Sequence, residues 1–227
     1  VGEAAAALIG QVGARLITAD APGALGGAPA EAAAALAVDV CDEASVTGLF
    51  ADIAARFGDI DVLVYAATLP AGFAFETMSL ADWRKVQEVN LQGAFLCLRE
   101  AVKMMRRPGR GGRIVVVSTM GARHPVLNGN AAYGAAKAGL DGLVRSVALD
   151  YAADGILANL VLAGAVPPGA ARIGDVEPSG PSRGPGRLLL GRAEAAAIAP
   201  AILYLVSPAG GFVTGQALPV DGGFLIS

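Results

Sequence analysis

Residues 114–151, IVVVSTMGARHPVLNGNAAYGAAKAGLDGLVRSVALDY, carry a strand pattern and a helix pattern within one stretch. The β-branched run 114–117 is typical of a buried strand, and it ends in two hydroxyl residues, Ser118 and Thr119. A loop rich in Gly, Pro and Asn follows. Ala, Leu and Val then recur at helical spacing over 131–151, with Asn130 at the expected N-cap. The stretch predicts a strand, a loop and a long helix.

Tyr133 and Lys137 stand four residues apart in the predicted helix, so their side chains are expected to be neighbours. A Tyr hydroxyl normally keeps its proton up to about pH 10. A nearby cation favours the ionised phenol and lowers its pKa. The pair therefore suits general acid–base chemistry on an alcohol or a carbonyl. The same spacing also fits a packed ring beside a solvated charge, so the surrounding residues must decide.

Strand and helix patterns alternate along the rest of the chain. Further strands are predicted at 14–18, 36–38, 62–65, 157–162 and near Leu218. Further helices are predicted from Glu3 onward and at 29–35, 43–57, 80–105 and 193–206. Such alternation indicates a parallel sheet covered by helices on both faces. With no internal repeat and no linker, residues 1–227 are predicted to form a single three-layer α/β/α domain.

Composition excludes several classes of protein. A formal net charge of −3 offers no basic surface for nucleic acid. Although 54% of the residues are hydrophobic, no uninterrupted apolar stretch reaches the roughly 20 residues of a membrane span. The two cysteines, Cys41 and Cys97, are too few and too dispersed for a disulfide framework or a zinc site, and no metal site is predicted. Both are expected to be buried thiols in a reducing cytoplasm.

Four features taken together resemble the short-chain dehydrogenase/reductase family. They occur in the family's order and span nearly the whole chain. They are Asn90 in the segment VNLQGAF, the pair Ser118 and Thr119 after a strand, the pair Tyr133 and Lys137, and the segment FVTGQALPVDGG at 212–223. The resemblance implies a Rossmann-like, doubly wound parallel sheet. It also implies an NAD(P)-dependent oxidoreductase that interconverts a secondary alcohol and a ketone by hydride transfer.

The resemblance also implies roles for these side chains. Tyr133 would donate or accept the proton, while Lys137 would depress its pKa and bind the nicotinamide ribose. Asn90 would hold a water of the proton relay. The family's serine, which hydrogen-bonds the substrate oxygen, aligns best with Thr119, and Ser118 could serve as well. Both hydroxyls alternatively cap the end of the strand.

Residues that follow the first strands are candidates for cofactor binding. Asp20 stands where a doubly wound fold places the acid that binds the adenosine ribose hydroxyls. Because a carboxylate there repels a ribose 2′-phosphate, NAD is expected rather than NADP. By resemblance Asp39 contacts the adenine, or else it caps the following helix. The predicted cofactor set is Gly2, Asp20, Asp39, Ala67, Asn90, Tyr133, Lys137, Gly164 and Val166.

The chain departs from the family pattern at its start. The family opens with a strand and a Thr-Gly-x-x-x-Gly-x-Gly turn, of which only Gly2 is present. Without that strand, which lies in mid-sheet, both neighbouring strands would keep unpaired backbone groups. We therefore expect residues upstream of Val1, or another chain, to fill the gap.

Two internal motifs also differ. Tyr65-Ala66-Ala67-Thr68 replaces Asn-Asn-Ala-Gly and keeps only Ala67. Ala163-Gly164 replaces Pro-Gly, and the Thr that normally follows is not evident. These departures leave open an alternative function, that of a degenerate, non-catalytic family member that binds a nucleotide or a partner.

Residues 164–191 are dense in Gly and Pro and are predicted to form a mobile loop. The family resemblance implies that this loop covers the substrate. Its Arg172, Arg183 and Arg187 either meet an anionic substrate or are solvated. His124 either touches the substrate or lies on the surface. The expected partners are a small alcohol or ketone and further copies of the chain. The family resemblance implies a homodimer or homotetramer built through the helices that begin near Leu80 and Asn130.

Overall fold

The computed structural model of the chain describes residues 1–106, 109–167, 172–184 and 186–227. Its helices are α1 (Gly2–Gln11), α2 (Glu43–Phe57), α3 (Leu80–Gln87), α4 (Gly93–Met105), α5 (Ala131–Tyr151) and α6 (Ala195–Val206). Its strands are β1 (Leu16–Asp20), β2 (Ala32–Ala37), β3 (Val62–Tyr65), β4 (Ala71–Gly72), β5 (Gly112–Thr119), β6 (Ile156–Ala163), β7 (Ile173–Gly174) and β8 (Ala217–Val220).

Every strand pair in these residues is parallel. The order β3-β5-β6-β8 forms a four-stranded sheet, and β1 pairs with β2 in a separate two-stranded sheet. The longest pairing is between β5 and β6, from Gly112 opposite Ile156 to Thr119 opposite Ala163. The short strands β4 and β7 pair with each other in a third sheet. The prediction of a parallel sheet is confirmed.

Alternate side chains of the central strands contribute to two hydrophobic cores, one on each face of the sheet. Ile114 and Val116 pack with α2, α4 and α5. Val115 and Val117, which point the other way because side chains alternate along a strand, pack with α1 and α6. All four side chains are buried. Helices therefore cover both faces, and the three-layer α/β/α architecture is confirmed.

The sheet is broken between β1 and β3, which are not hydrogen-bonded to each other. This is the position at which the family resemblance places a further strand. The expectation that residues before Val1, or another chain, fill this position stays a prediction.

The helix predicted at 29–35 is wrong. The alanines of this stretch belong to β2, where Ala34 to Ala37 pair in register with Ile17 to Asp20 of β1. Alanine has a high intrinsic helix propensity, but pairing with a neighbouring strand overrides a propensity of this size. The first strand likewise lies later than predicted, at Leu16–Asp20, so Asp20 is its last residue.

The helix predicted at 80–105 forms, but it is interrupted. A π-helical turn at Glu88–Gln92 separates α3 from α4 and contains Asn90. Asn130 occupies the N-cap position of α5 as expected, without a side-chain capping bond.

The cysteines differ in burial. Cys97 is buried, as predicted, whereas Cys41 is only half-buried in the turn before α2. Burial raises the pKa of Cys41 to about 11 and that of Cys97 to about 12, so both are thiols at neutral pH. Within the described ranges, no helix combines the length and the apolarity that a membrane crossing requires.

Candidate active site

Several polar side chains meet at one edge of the sheet because the carboxyl ends of parallel strands lie together. Asp20 ends β1, Tyr65 ends β3 and Thr119 ends β5. Helix α1 begins at the same edge: a Cβ on Gly2 would lie 3.0 Å from the Cβ of Ala66, which follows β3. The carboxyl ends of these strands and the N-terminus of α1 thus carry several of the residues predicted to form the site.

Asn90 lies in the π-helical turn, and its side chain is fully buried. The amide nitrogen donates to the carbonyl oxygens of Val86 at 2.9 Å and Leu69 at 3.0 Å. Oδ1 accepts the Leu69 N–H at 3.1 Å and the Thr68 hydroxyl at 3.2 Å. Protein groups thus fill all four hydrogen-bonding positions of this side chain. The predicted water-binding role of Asn90 is not available to its side chain.

Thr68 connects Asn90 to Tyr133. Its Oγ1 lies 3.2 Å from Asn90 Oδ1 and 3.2 Å from the phenol oxygen of Tyr133. The hydroxyl therefore joins the π-helical turn to the first turn of α5, at the carboxyl edge of the sheet.

Tyr133 packs within an apolar cluster although its side chain remains partly exposed. Burial raises the pKa of Tyr133, and the hydrogen bond with Thr68 opposes that rise. The cluster around the ring contains Ala71, Phe73, Met78, Trp83, Val86, Ala132 and Ile173.

Lys137 lies beneath Tyr133 on the same helix and is only 2% exposed. Its Nζ lies 5.7 Å from the centroid of the Tyr133 ring and donates to the carbonyl oxygen of Val117 at 3.3 Å. Burial lowers the pKa of Lys137 to about 7. Burial outweighs the hydrogen bond with Thr68 at the phenol, so the pKa of Tyr133 is raised overall, and the expectation that Lys137 depresses it stays a prediction.

Ser118 and Thr119 have different partners. Ser118 is 4% exposed, and its hydroxyl donates to the carbonyl oxygen of Lys137 at 3.2 Å. This bond ties β5 to α5. Thr119 Oγ1 accepts the Gly121 N–H at 3.1 Å. Since a hydroxyl both accepts and donates, Thr119 keeps its proton for a further acceptor.

The predicted cofactor carboxylates lie at the ends of the first two strands. Asp20 is exposed, and its Oδ1 accepts the Ala21 N–H at 2.8 Å. Asp39 Oδ1 accepts the Cys41 N–H at 2.9 Å. The alternative of Asp39 as a helix cap is wrong, because the side chain of Asp42 caps α2.

The other predicted cofactor residues lie along the same edge. Ala67 packs against the core just after β3. The Gly164 N–H, after β6, donates to the Val220 carbonyl oxygen at 2.9 Å. Val166 is half-buried against the cluster formed by α1 and α6.

Known proteins resemble this chain over almost its full length. A protein family described as enoyl-(acyl carrier protein) reductase matches residues 1–225. The cis-4-hydroxycyclohexanecarboxylate dehydrogenase of Sinomonas cyclohexanicum is 40% identical over 190 residues, which are 82% of this chain and 74% of that protein. The chain belongs to the short-chain dehydrogenase/reductase family.

Solved structures agree with this assignment. The acetoin dehydrogenase YohF of Salmonella typhimurium superposes with a TM-score of 0.84 at 29% identity, covering 100% of this chain and 93% of that one. A blue fluorescent protein from a metagenomic library, solved with NADPH, has a TM-score of 0.82 at 27% identity, covering 97% and 92%.

The chain is thus an NAD(P)-dependent oxidoreductase of the class that acts on CH–OH groups. Relatives that are named dehydrogenases favour this reading over the alternative of a non-catalytic family member.

The carboxyl edge of this short-chain dehydrogenase/reductase fits a dinucleotide. The N-terminus of α1 presents free N–H groups and the positive end of a helix dipole, which suit a pyrophosphate. Gly2 has no side chain to cover this end, and a Cβ there would crowd Ala66. On the same edge, Asp20 has one carboxylate oxygen engaged with Ala21.

Two residues that depart from the family pattern make contacts in the site that the sequence did not predict. Thr68 replaces a glycine but supplies the hydroxyl between Asn90 and Tyr133. Tyr65 replaces an amide, yet its hydroxyl donates to the Val89 carbonyl oxygen at 2.8 Å and so links β3 to the π-helical turn. Burial raises the pKa of Tyr65, which keeps this donor protonated. The signal for both was their place at the end of a predicted strand.

The described part of the predicted substrate loop lies against the site. The Ile173 N–H donates to the Pro70 carbonyl oxygen at 3.0 Å, and the Asn128 N–H donates to that of Ser179 at 2.8 Å. These bonds connect residues 172–184 to the segment that follows β3 and to the loop that precedes α5. Residues 168–171 and 185 of the predicted loop lie outside the described residues.

Of the three arginines in this region, Arg183 is exposed, whereas Arg172 and Arg187 are held by protein groups. Arg172 Nη1 donates to the carbonyl oxygen of Val176. The guanidinium of Arg187 lies 4.9 Å from the centroid of the Phe224 ring and donates to the carbonyl oxygen of Ser227. His124 is exposed, and its Nδ1 lies 2.9 Å from the Pro125 carbonyl oxygen.

Proposed function

We propose that this enzyme interconverts a secondary alcohol and a ketone with NAD(H), and that Tyr133 is its acid–base group. The observation that carries the proposal is the position of the Tyr133 phenol, which meets Thr68 at the carboxyl edge directly above the buried Lys137. When bound, a nicotinamide cofactor supplies or accepts the hydride.

In the reductive direction Tyr133 gives its hydroxyl proton to the carbonyl oxygen of the substrate. In the oxidative direction the phenolate takes the proton of the substrate hydroxyl. The free proton of Thr119 is suited to hold the substrate oxygen, since the other bond of this hydroxyl is with the Gly121 N–H. Lys137, when protonated, lies close enough to stabilise negative charge on the phenol.

Asp20 supports a preference for NAD over NADP. Its carboxylate is exposed at the end of β1, and one oxygen remains for ribose hydroxyls after the bond to Ala21. A 2′-phosphate at this position would meet a like charge.

The wall around Tyr133 supports a small substrate with an apolar body. Phe73, Met78, Trp83 and Ile173 pack beside the phenol and carry no charge. Relatives of this chain are named for the oxidation of a hydroxycyclohexanecarboxylate and of acetoin. We therefore propose cyclic and short-chain secondary alcohols as the first candidates.

The test is oxidation of a panel containing cyclohexanol, cis-4-hydroxycyclohexanecarboxylate and acetoin with NAD or NADP. Tyr133→Phe should lower kcat by about 10²-fold to 10⁴-fold while binding of NADH, followed by fluorescence, changes little. Tyr151→Phe, at the far end of α5, is the matched control and should retain parental kcat. Parental turnover by Tyr133→Phe would refute the proposed role.

The outer face of α4 and α5 supports a homodimer or homotetramer. Phe95 on α4 is 45% exposed and Leu149 on α5 is 82% exposed. A groove between these helices is lined by Leu91, Phe95, Leu96 and Leu143. Light scattering of the parent and of Phe95→Glu tests this assembly, and a monomeric parent would contradict it.

The cytoplasm is the proposed location of the enzyme. Both cysteines are free thiols in the structure, which suits a reducing compartment.

A further inference from the structure

The orientation of the Asn90 amide is set by main-chain groups. Its nitrogen faces two carbonyl oxygens, those of Val86 and Leu69, which only accept. Its oxygen faces the Leu69 N–H, which only donates. A flipped amide would break all three bonds, so Oδ1 must face Thr68.

Thr68 consequently has one proton and two oxygens that can receive it. Asn90 Oδ1 can only accept, whereas the Tyr133 phenol can either donate or accept. With the phenol protonated, both bonds form when Thr68 donates to Asn90 and Tyr133 donates to Thr68. With the phenol ionised, Thr68 must turn its O–H toward Tyr133.

We propose that Thr68 is a positioning residue for Tyr133. Its hydroxyl holds the phenol in place, and it stabilises the phenolate by turning its O–H from Asn90 Oδ1 toward Tyr133 Oη. This inference rests on the proposed acid–base function of Tyr133. It assigns stabilisation of the phenolate to Thr68, whereas the sequence predicted this role for Lys137 alone.

The proton balance is complete within these groups. During reduction the O–H bond of Tyr133 breaks, and a new O–H bond forms on the substrate oxygen whose carbon receives the hydride. The phenolate that remains accepts the O–H of Thr68 in a charge-assisted bond, which is about twice as strong as a neutral one. Asn90 Oδ1 keeps the Leu69 N–H as a donor, so no buried acceptor is left without a partner. Oxidation runs the same steps in reverse.

Few charged groups compete with Thr68 around the phenol. Lys137 faces the Tyr133 ring from the same helix, with Nζ 5.7 Å from the centroid. From the side of β4 and β7, the guanidinium of Arg172 lies against Gly72. The side chain that α3 buries in this cluster, Val86, is uncharged. Thr68 is in hydrogen-bond contact with the phenol, whereas Lys137 faces the ring and Arg172 donates to the Val176 carbonyl oxygen.

Thr68→Val tests the proposal, because valine keeps the shape of threonine and removes the hydroxyl. We expect kcat for alcohol oxidation to fall by about tenfold to hundredfold. The rising limb of the pH–rate profile should move about one unit to higher pH. Thr68→Ser restores the hydroxyl and should remain within about twofold of the parent. Thr47→Val, on the exposed surface of α2, is the matched control and should change neither quantity.

A second readout is independent of turnover. The alkaline ultraviolet absorbance of the parent minus that of Tyr133→Phe isolates the phenolate of Tyr133 from the other three of the 4 tyrosines. The same difference, taken in the Thr68→Val background, should begin at higher pH. Thr68→Ala replaces Thr68→Val if the latter does not fold.

The outcomes separate this inference from the proposed function. An inactive Tyr133→Phe together with a Thr68→Val enzyme of parental kcat and pH profile would overturn the role of Thr68 and leave the acid–base role of Tyr133 standing. A fully active Tyr133→Phe would overturn both. A fall in kcat without a shift in the pH limb or in the absorbance titration would assign Thr68 a purely structural role, against the proposal.

Discussion

The ammonium of Lys137 donates to the carbonyl oxygen of Val117 at 3.3 Å, inside the protein and without a carboxylate among its described hydrogen-bond partners. Burial accordingly lowers the pKa of Lys137 from 10.5 to about 7. A buried lysine without a carboxylate partner destabilises the fold at any pH at which it is protonated.

The pH dependence of stability follows from this shift. Between pH 7 and 10.5 the unfolded chain binds more protons at this site than the folded chain does. The free energy of unfolding should therefore rise with pH across this window. Below pH 7, where Lys137 is protonated in both states, this gain in stability is absent. Urea unfolding of the parent at a series of pH values measures the slope.

Lys137→Met should remove both the charge and the slope. At pH 6 we expect the free energy of unfolding to increase by about 1 to 4 kcal/mol, since an apolar side chain replaces a buried ion. Oxidation of alcohols should be lost at the same time. Lys85→Met, on the exposed side of α3, serves as the control and should change neither stability by much nor its pH dependence. A less stable Lys137→Met would contradict the reasoning.

Ser118 and Thr119 should separate into a structural and a functional hydroxyl. Ser118→Ala removes the bond to the Lys137 carbonyl oxygen and should lower the free energy of unfolding by about 1 kcal/mol, with kcat within a few-fold of the parent. Thr119→Val should lower kcat by about tenfold to hundredfold with a smaller loss of stability. Steady-state kinetics and urea unfolding of both variants decide, and the reverse pattern would exchange the two assignments.

Asp20 should control the choice between NAD and NADP. Asp20→Ala removes the like charge that a 2′-phosphate would meet, so the ratio of kcat/KM with NADP to that with NAD should rise by about tenfold or more. Asp39→Asn is the matched control, because a side chain near the adenine would affect both cofactors alike. An unchanged ratio in Asp20→Ala would remove the basis for the NAD preference.

Local patterns predicted the parts of the fold that local interactions decide. The helix predicted at 131–151 matches Ala131–Tyr151, since its apolar spacing and its boundary residues are visible in one stretch. Residues 29–35 were misjudged because alanine favours a helix locally, whereas the pairing of β2 with β1 is a tertiary contact. Likewise, the alternating strands and helices predicted the layers, whereas the break beside β3 followed only from the comparison with the family pattern.

The candidate site divides in the same way. Tyr133 and Lys137 share a helix face at a fixed spacing, so their proximity could be predicted. The contact of Thr68 with Tyr133 spans 65 positions, and that with Asn90 spans 22. No periodicity encodes contacts of this range. The burial that reverses the expected pKa of Tyr133 likewise depends on how β4, β7 and α3 close around the ring.

The fit between Tyr65 and Gly93 gives a prediction about the π-helical turn. The Tyr65 hydroxyl donates to the Val89 carbonyl oxygen at 2.8 Å. A Cβ on Gly93 would lie 2.8 Å from that hydroxyl oxygen and 3.0 Å from the Cβ of Val40. The absence of a side chain at Gly93 thus makes room for the tyrosine that links β3 to the segment carrying Asn90.

Each change alone should destabilise the enzyme, for different reasons. Tyr65→Phe loses one hydrogen bond, worth about 1 kcal/mol. Gly93→Ala forces the phenol and Val40 aside, at about 1 to 3 kcal/mol. The double variant should lose less than the sum of the two, because removing the hydroxyl frees the space that the new methyl group needs. Urea unfolding of all four proteins closes this cycle. Strictly additive losses would show that the Tyr65 hydroxyl and a methyl group at position 93 do not compete for the same space. We also expect kcat to fall in the variants that displace the π-helical turn, because Asn90 moves with it.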